Sequence, residues 1–472
     1  MSDCCSNGTY DLAVIGAGSA GFSAAITAAD SGARVALIGY GTIGGTCVNV
    51  GCVPSKALIR ATEALHASSA AKRFNGIEVT SRLTSWSDVV RQKQQLVDEL
   101  RGVKYADLLP SYENVDYIEG QASFGKDGAL FVDGTAFAAT KIVIATGTRP
   151  SIPSINGIKD VPYLTSTTAL EQETLPSSML VIGAGYIGVE LAQIFARAGV
   201  DVTLVSRRGV LPEAEPEIGA ALAGYLSDEG ISIVSGISYD RIAKHKDGVE
   251  LIVFEDGSPR TIVADKVLLA TGRTPNIESL NLQNKGVVLN DVGGIKVDKQ
   301  MRSSANDVFA AGDVTGEDQF VYMAAYGAKI AAKSAMGLET RAYDNMAMPA
   351  VVFSDPQVAS VGLTEAQAQE SGFSVKTSIL TLENVPRALA ARDTRGVIKL
   401  VANAQNGILL GAHILAPEGA DSIQTAAMAI KCHMTYQELA DMIFPYLTTV
   451  EGLKLAAQTF DMDVKKLSCC AG

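Results

Sequence analysis

Two stretches of this chain repeat one pattern, and the repetition limits the fold more than any other feature. Tyr10-Asp11-Leu12-Ala13-Val14-Ile15 is a short apolar run ending in Gly16-Ala17-Gly18-Ser19-Ala20-Gly21; helical spacing continues to Ser31-Gly32, and Arg34-Val35-Ala36-Leu37-Ile38 supplies a second strand. Met179-Leu180-Val181-Ile182 leads in the same way into Gly183-Ala184-Gly185-Tyr186-Ile187-Gly188, a helix through Ala198 and a strand Asp201-Val202-Thr203-Leu204-Val205. Each is a βαβ unit with a G-x-G-x-x-G turn, whose glycines admit a pyrophosphate while the helix N-terminus holds its charge. A lone copy is weak evidence, but its place between strand and helix strengthens it. Two copies in one chain imply two dinucleotides.

The units differ after their second strands. The acid expected to bond a ribose about 20 residues after the glycines is missing from the first, whose strand ends at Gly39-Tyr40. The adenosine ribose is then left to water or to the Gly41 backbone. The second strand of the later unit ends in Ser206-Arg207-Arg208, with two guanidiniums able to clamp a 2′-phosphate bidentately, which selects NADPH over NADH. The alternative, a solvated basic turn, is disfavoured by two adjacent arginines at this strand end.

At 472 residues the chain has room for about three domains. With 47% apolar residues, 19% charged residues and 45 glycines it reads as a compact α/β protein. A net charge of −12 argues against nucleic acid as a partner, which would want a basic stripe. No uninterrupted run of 18 apolar residues and no basic segment before an apolar core stand in the sequence, so no membrane is expected and the location should be cytoplasmic. Seven cysteines, an odd number, in a reducing compartment point to catalysis, metal handling or quiet burial.

Between Gly44-Gly45 and Pro54-Ser55-Lys56 the chain places Cys47 and Cys52, five residues apart. The glycines let backbone approach a bound planar group, and Pro54 suits a first helical turn. Cys52 is then expected at a helix N-terminus, where the dipole and Lys56 one turn on favour a thiolate. The pair reads as a redox centre, with its disulfide a working bond. The alternatives are buried apolar cysteines or half of a zinc site; the C-x4-C spacing would suit zinc, but the second ligand pair that such a site needs is not visible in the sequence.

Further along, Ser87 to Leu109 has helical spacing, Ala145-Thr146-Gly147 and Ala270-Thr271-Gly272 are strand-ending turns, and Ala310-Ala311-Gly312-Asp313 ends a buried strand whose carboxylate can meet a ribityl hydroxyl. After Ala347-Met348-Pro349 the composition shifts to strands with two helices. The expected architecture is α/β: two Rossmann-like dinucleotide-binding domains, at 1–149 and 150–272, a central segment at 273–344, and a separate α+β domain at 345–472.

With Gly16 to Gly21, Cys47 to Lys56, the two Ala-Thr-Gly turns, Gly183 to Gly188 and Ala311-Gly312-Asp313 in place, the chain resembles the flavin-dependent pyridine nucleotide-disulfide oxidoreductases over essentially its whole length. The resemblance implies FAD on the first fold, NADPH on the second and a C-terminal dimerisation domain, in a homodimer whose partner subunit completes each active site. It implies FAD contacts from Gly16, Gly18, Ser19, Ala20, Gly21, Gly41, Thr46, Lys56, Ala122, Thr146, Gly147, Asp313 and Val321. Gly183, Gly185, Tyr186, Gly188, Arg207, Arg208 and Gly272 would serve the nicotinamide nucleotide. Lys56 would lie beside the flavin N5 paired with Glu190, and Tyr186 would cover the nicotinamide pocket.

The last residues narrow the expectation to the members that reduce Hg(II) to Hg(0). Disulfide-reducing relatives place a His-Pro pair with a following Glu where this chain has Phe444-Pro445-Tyr446 before Glu451, because a leaving thiolate must be protonated. Phe444 cannot transfer a proton, and a metal ion taking two electrons between thiolates needs none. The four histidines, at 66, 245, 413 and 433, stand in no replacement motif. Vicinal Cys469-Cys470 offer soft ligands to a soft ion, and the expected route passes Hg(II), as thiol complexes, from Cys469 and Cys470 of one subunit to Cys47 and Cys52 of the other. Tyr446 and Tyr105 would flank the bound metal, although bare aromatics are more often core. Cys4-Cys5 is weighed evenly between a metal-scavenging pair and no role. The competing enzyme is a thioredoxin reductase-like disulfide reductase with a C-terminal dithiol shuttle; a metal-sequestering thiol protein is the reading from another class.

Overall fold

The structure, a computed structural model, describes residues 9–464. The chain divides into two units. One comprises the stretch ending at Pro54 with Arg91–Ser151 and Arg273–Asn345; the other comprises Ser55–Val90, Ile152–Gly272 and the stretch from Met346.

The first unit is built on a five-stranded parallel sheet in the order Val308–Ala310, Ala139–Ile144, Tyr10–Ile15, Val35–Gly39, Val115–Glu119. Its strands are near-continuous apolar runs because both faces are covered: Leu12, Ala13, Val14, Val35, Ala36 and Leu37 are fully buried. The first strand in sequence lies in the middle, and its two neighbours are reached in opposite directions. That is a topological switch point, and the crevice it opens stands at the carboxyl end of Tyr10–Ile15, where Gly16 follows. The helix Ser19–Ala29 covers one face and packs on Val321–Ala335 through small residues, among them Ala20, Ala24, Ala28, Ala324, Ala328 and Ala331. A three-stranded antiparallel sheet, Ala122–Phe124, Leu130–Val132 and Thr135–Phe137, packs Phe124 against the other face.

The second unit repeats the plan with Ser232–Ser235, Asp201–Ser206, Ser178–Ile182, Lys266–Leu269 and Leu164–Thr165, again all parallel. A three-stranded antiparallel sheet follows, Ile237–His245, Gly248–Glu255 and Ser258–Ala264. Residues from Met346 add a five-stranded antiparallel sheet in the order Ala350–Val352, Gln357–Gly362, Leu409–Ala416, Val397–Asn403, Val375–Thr381. Five helices accompany it among the described residues, where the sequence suggested two: Glu365–Glu370, Pro386–Ala391, Gly419–Lys431, Tyr436–Asp441 and Glu451–Gln458. Three of the additional ones are six residues long, too short to carry a clear helical period. Lys399, in the strand Val397–Asn403, is 1% exposed and meets Glu215 at 2.9 Å, Glu365 at 2.9 Å and Glu217 at 3.0 Å.

Ser55–Val90, which the sequence counts with the first fold, groups with the second unit for a visible reason. Leu58, Trp86 and Val90 enter the apolar cluster of Met179, Leu191 and Phe195, and the Trp86 indole N–H donates to the Gln172 carbonyl at 2.8 Å. No described helix is long and apolar enough to cross a membrane.

Candidate functional site

Each unit carries a glycine turn built the same way. A Cβ on Gly16 would run into the Ala145 carbonyl oxygen, and one on Gly21 into the Gly16 carbonyl oxygen. In the second unit a Cβ on Gly183 would meet the Ala270 carbonyl oxygen, and one on Gly188 the Gly183 carbonyl oxygen. Both turns are thus tucked under the alanine of an Ala-Thr-Gly turn, at the carboxyl end of a parallel sheet, with a helix starting beyond them. Only glycine allows this closeness, and the freed space and N–H groups suit a dinucleotide pyrophosphate.

In the first unit the segment leading into the cysteines packs on that turn. Gly44 (φ 97°) precedes a short helix, Gly45–Val50, which holds Thr46 and Cys47 where the sequence suggested only a glycine-rich turn. A Cβ on Gly45 would lie 2.6 Å from the Gly18 Cα, and the Gly44 N–H donates to the Ala17 carbonyl at 2.8 Å. Asn49 holds the segment by donating to the Ile43 and Gly45 carbonyls at 2.8 and 2.9 Å. Gly51 separates this helix from the next, Cys52–Ala71, which Cys52 opens with Pro54 in its first turn. Cys47 and Cys52 are half-buried thiols.

Tyr105 joins them. It lies in a single π-helical turn, Gly102–Ala106, that prolongs the helix Trp86–Arg101. Its hydroxyl shares a 3.1 Å hydrogen bond with Ser19 Oγ, and its ring meets Phe22 edge to face with centroids 4.9 Å apart. Burial holds the phenol above its usual range; the bond to Ser19 works the other way, and the nearby Cys47 and Cys52 add to the rise.

Arg273 is a group that sequence reasoning missed. Its Nε donates to Thr148 Oγ1 at 2.7 Å and a terminal nitrogen to the Thr148 carbonyl at 2.8 Å, while Thr148 Oγ1 donates to Asp313 at 2.9 Å. Burial pushes this guanidinium below its usual value, and Asp313 and then Cys52 push it back up. A cation therefore stands within electrostatic reach of Cys52. Thr146 and Gly147 are tied to the same region by Asn276, which donates to the Thr146 carbonyl and, from its backbone N–H, to the Gly147 carbonyl, each at 2.9 Å. Gly41 (φ 78°) follows the strand Val35–Gly39, Ala122 opens the strand Ala122–Phe124, and Val321 opens its helix.

In the second unit Glu190, 5% exposed on the helix Tyr186–Arg197, meets Lys56 Nζ at 2.7 Å. Its other oxygen accepts the Phe353 backbone N–H at 2.9 Å, and Lys56 Nζ stands 4.7 Å from the Phe353 ring centroid. Phe353 escaped the sequence reading because nothing local marks it. Tyr186 is an exposed residue at the helix start, and Gly272 (φ 108°) closes the Ala-Thr-Gly turn. The two arginines after Asp201–Ser206 are not equivalent: Arg208 pairs with Glu213 at 2.6 Å, both exposed, so its fork already faces a carboxylate.

Phe444 is half-buried against the apolar cluster of the C-terminal sheet, and Tyr446 is 54% exposed on the loop before Glu451–Gln458. Glu451 accepts the Leu447 N–H at 3.1 Å. His413 is buried in the sheet against the Leu363 carbonyl, and His66 faces Glu229, so neither stands on that loop. Cys4, Cys5, Cys469 and Cys470 lie outside the described residues. Among the described residues no three His, Cys, Asp or Glu side chains converge as a metal cluster.

Comparison with known proteins agrees with this arrangement. Residues 10–332 match the pyridine nucleotide-disulphide oxidoreductase model, and residues 348–457 match that family's dimerisation domain. A Staphylococcus aureus protein named mercuric reductase is 44% identical over 467 residues, covering 99% of this chain and 85% of its own. A Shigella flexneri protein of the same name is 46% identical over 475 residues, covering 99% and 84%. The solved HOCl-induced flavoprotein disulfide reductase RclA from Escherichia coli, in a Cu(II) complex, superposes with a TM-score of 0.84 at 32% identity, covering 96% of this chain and 99% of that one. The relationship implies a flavin and a pyridine nucleotide as cofactors and a homodimer through the C-terminal dimerisation domain. With two glycine turns built alike, a cysteine segment packed on one of them and these matches along its length, the chain is an oxidoreductase that belongs to the pyridine nucleotide-disulphide oxidoreductase family.

Proposed function

We propose that this enzyme reduces Hg(II) to Hg(0) with NADPH, through FAD, in mercury detoxification. The observation that carries the reading is the cysteine segment packed on the first glycine turn, together with Phe444 in place of a proton donor on the loop before Glu451–Gln458. The two relatives named mercuric reductase, at 44% and 46% identity over nearly the whole chain, support mercury as the substrate. FAD is assigned to the first glycine turn and NADPH to the second, where Arg207 and Arg208 follow the strand. Bound together, the two cofactors supply the transfer of two electrons.

The residues of the chain do the rest. Cys47 and Cys52 bind Hg(II) as soft thiolate ligands. Arg273 offers a fixed positive charge near Cys52 and favours its thiolate. Tyr105, held protonated by burial, flanks the ion and excludes water. Lys56 is oriented by Glu190 as the fixed charge for the flavin, and Tyr186 guards the nicotinamide pocket. The net reaction converts NADPH and Hg(II) to NADP+, a proton and Hg(0), so no leaving group requires protonation.

Delivery is assigned to Cys469 and Cys470 of one subunit, which pass the ion with Tyr446 to Cys47 and Cys52 of the other in a cytoplasmic homodimer with shared sites. The domains are read as 1–149 for FAD, 150–272 for NADPH, 273–344 completing the FAD site and 345–472 for the interface. The rival is a disulfide reductase with a C-terminal dithiol shuttle, favoured by the likeness to RclA, a flavoprotein disulfide reductase. NADPH oxidation with Hg(II) in excess thiol, against oxidised glutathione, lipoamide and thioredoxin, separates them. Turnover with mercury is expected, and turnover of a disulfide without mercury would overturn the reading.

A further inference from the structure

The strand Val35–Gly39 ends where a dinucleotide fold places the acid that bonds the adenosine ribose, and here the residue is glycine. The backbone does not require it, since Gly39 is absent from the positive-φ glycines. The neighbours do. A Cβ at Gly39 would meet the Tyr117 hydroxyl at 2.5 Å, a Tyr117 ring carbon at 2.8 Å and the Ala17 Cβ at 2.9 Å. An acid at this position and the tyrosine in its present place exclude each other.

Tyr117 comes from the adjacent parallel strand Val115–Glu119, where it pairs with Leu37, two residues before Gly39. Its side chain leans along the strand so that the hydroxyl arrives beside Gly39 and Ala17. Ala17 lies between Gly16 and Gly18 of the first glycine turn, at the carboxyl end of the sheet and at its switch point. The phenol oxygen therefore stands 2.5 Å from where the Cβ of an acid at residue 39 would lie. Among the described residues no hydrogen-bond partner for it is found. Burial first and Glu119 second hold the phenol above its usual range, which keeps it a neutral donor and acceptor.

We propose that the Tyr117 hydroxyl hydrogen-bonds the adenosine ribose 2′-hydroxyl of bound FAD, in place of the acid missing at residue 39. The proposal rests on the assignment of FAD to the first glycine turn. It is tested by binding: the full-length protein, stripped of flavin, is titrated with FAD and with an FAD analogue lacking the adenosine 2′-hydroxyl, following flavin fluorescence. Tyr117→Phe should weaken FAD about 3- to 10-fold, the scale of one net hydrogen bond. The wild-type protein should bind the analogue more weakly by a similar factor, and Tyr117→Phe should no longer distinguish the two ligands. Glu119→Gln should leave the distinction intact. Unchanged FAD binding by Tyr117→Phe, a distinction that survives in that variant, or its loss in Glu119→Gln instead would overturn the proposal. A wild-type protein that bound neither flavin would remove the FAD assignment itself.

Discussion

Lys56 Nζ lies 2.7 Å from Glu190 Oε2, and the carboxylate that holds it is itself held by the Phe353 backbone N–H at 2.9 Å. Glu190 is buried while Lys56 is one-third exposed, so the carboxylate is the anchor and the ammonium the positioned group. Removing the anchor does two separable things. Glu190→Ala leaves the Phe353 N–H without its acceptor and should cost about 2 kcal/mol of stability in urea unfolding. Glu190→Gln keeps an acceptor for that N–H and should retain most of the stability. Both should slow flavin reduction by NADPH in stopped-flow absorbance, because both release Lys56; normal reduction in both variants would detach the pair from the reaction.

Cys47→Ala and Cys52→Ala should each abolish mercury reduction while flavin stays bound. In the proposed reaction the thiols bind the ion, whereas the glycine turn proposed to hold the cofactor is built from backbone. Changing Cys469 and Cys470 together to alanine should chiefly slow turnover of Hg(II) presented as bulky thiol complexes. Steady-state rates with small and bulky thiols check this, and identical rates with both would take the tail out of the route.

Arg208, one of the two arginines of the proposed 2′-phosphate clamp, forms an exposed ion pair with Glu213. Changing Arg207 and Arg208 together to alanine should weaken NADPH by about 10-fold or more, on the scale of a charged hydrogen bond, and NADH much less. Glu213→Gln frees the Arg208 fork and should tighten NADPH by no more than about 5-fold, since exposed pairs are weak. Titration of both nucleotides gives the comparison, and equal effects on NADPH and NADH would refute the clamp.

His413 is 2% exposed, beside the Leu363 carbonyl and among Glu215, Lys399 and Glu217. Burial is the largest influence and lowers its pKa; the Leu363 carbonyl and the glutamates raise it, and Lys399 lowers it. In the fold the ring stays neutral, while the unfolded chain takes up a proton below about pH 6.5. Stability from this group is therefore complete above that pH and lost as pH falls below it. Urea midpoints should drop between about pH 7 and about pH 5.5, with a shallower drop in His413→Gln. An unchanged slope in that variant would assign the drop elsewhere, with His66, whose pKa burial also lowers, as the next group to test.

What was legible in the sequence was local. The glycine turns, their flanking strands and the cysteine segment are set by steric rules acting over a few residues, and they mark both nucleotide folds. Elements of six residues left too short a period to read, as with Gly45–Val50, which carries Cys47.

Contacts between distant residues were not legible, because side-chain partners are chosen by packing. Phe353 reaches Glu190 across 163 positions, Thr148 reaches Asp313 across 165, and Lys399 finds Glu215 across 184. Gly39 makes the division plain. The sequence alone determined that no acid stands at the end of that strand, while only the tertiary structure decided why: the phenol of Tyr117, from the neighbouring strand, fills the space a side chain would need.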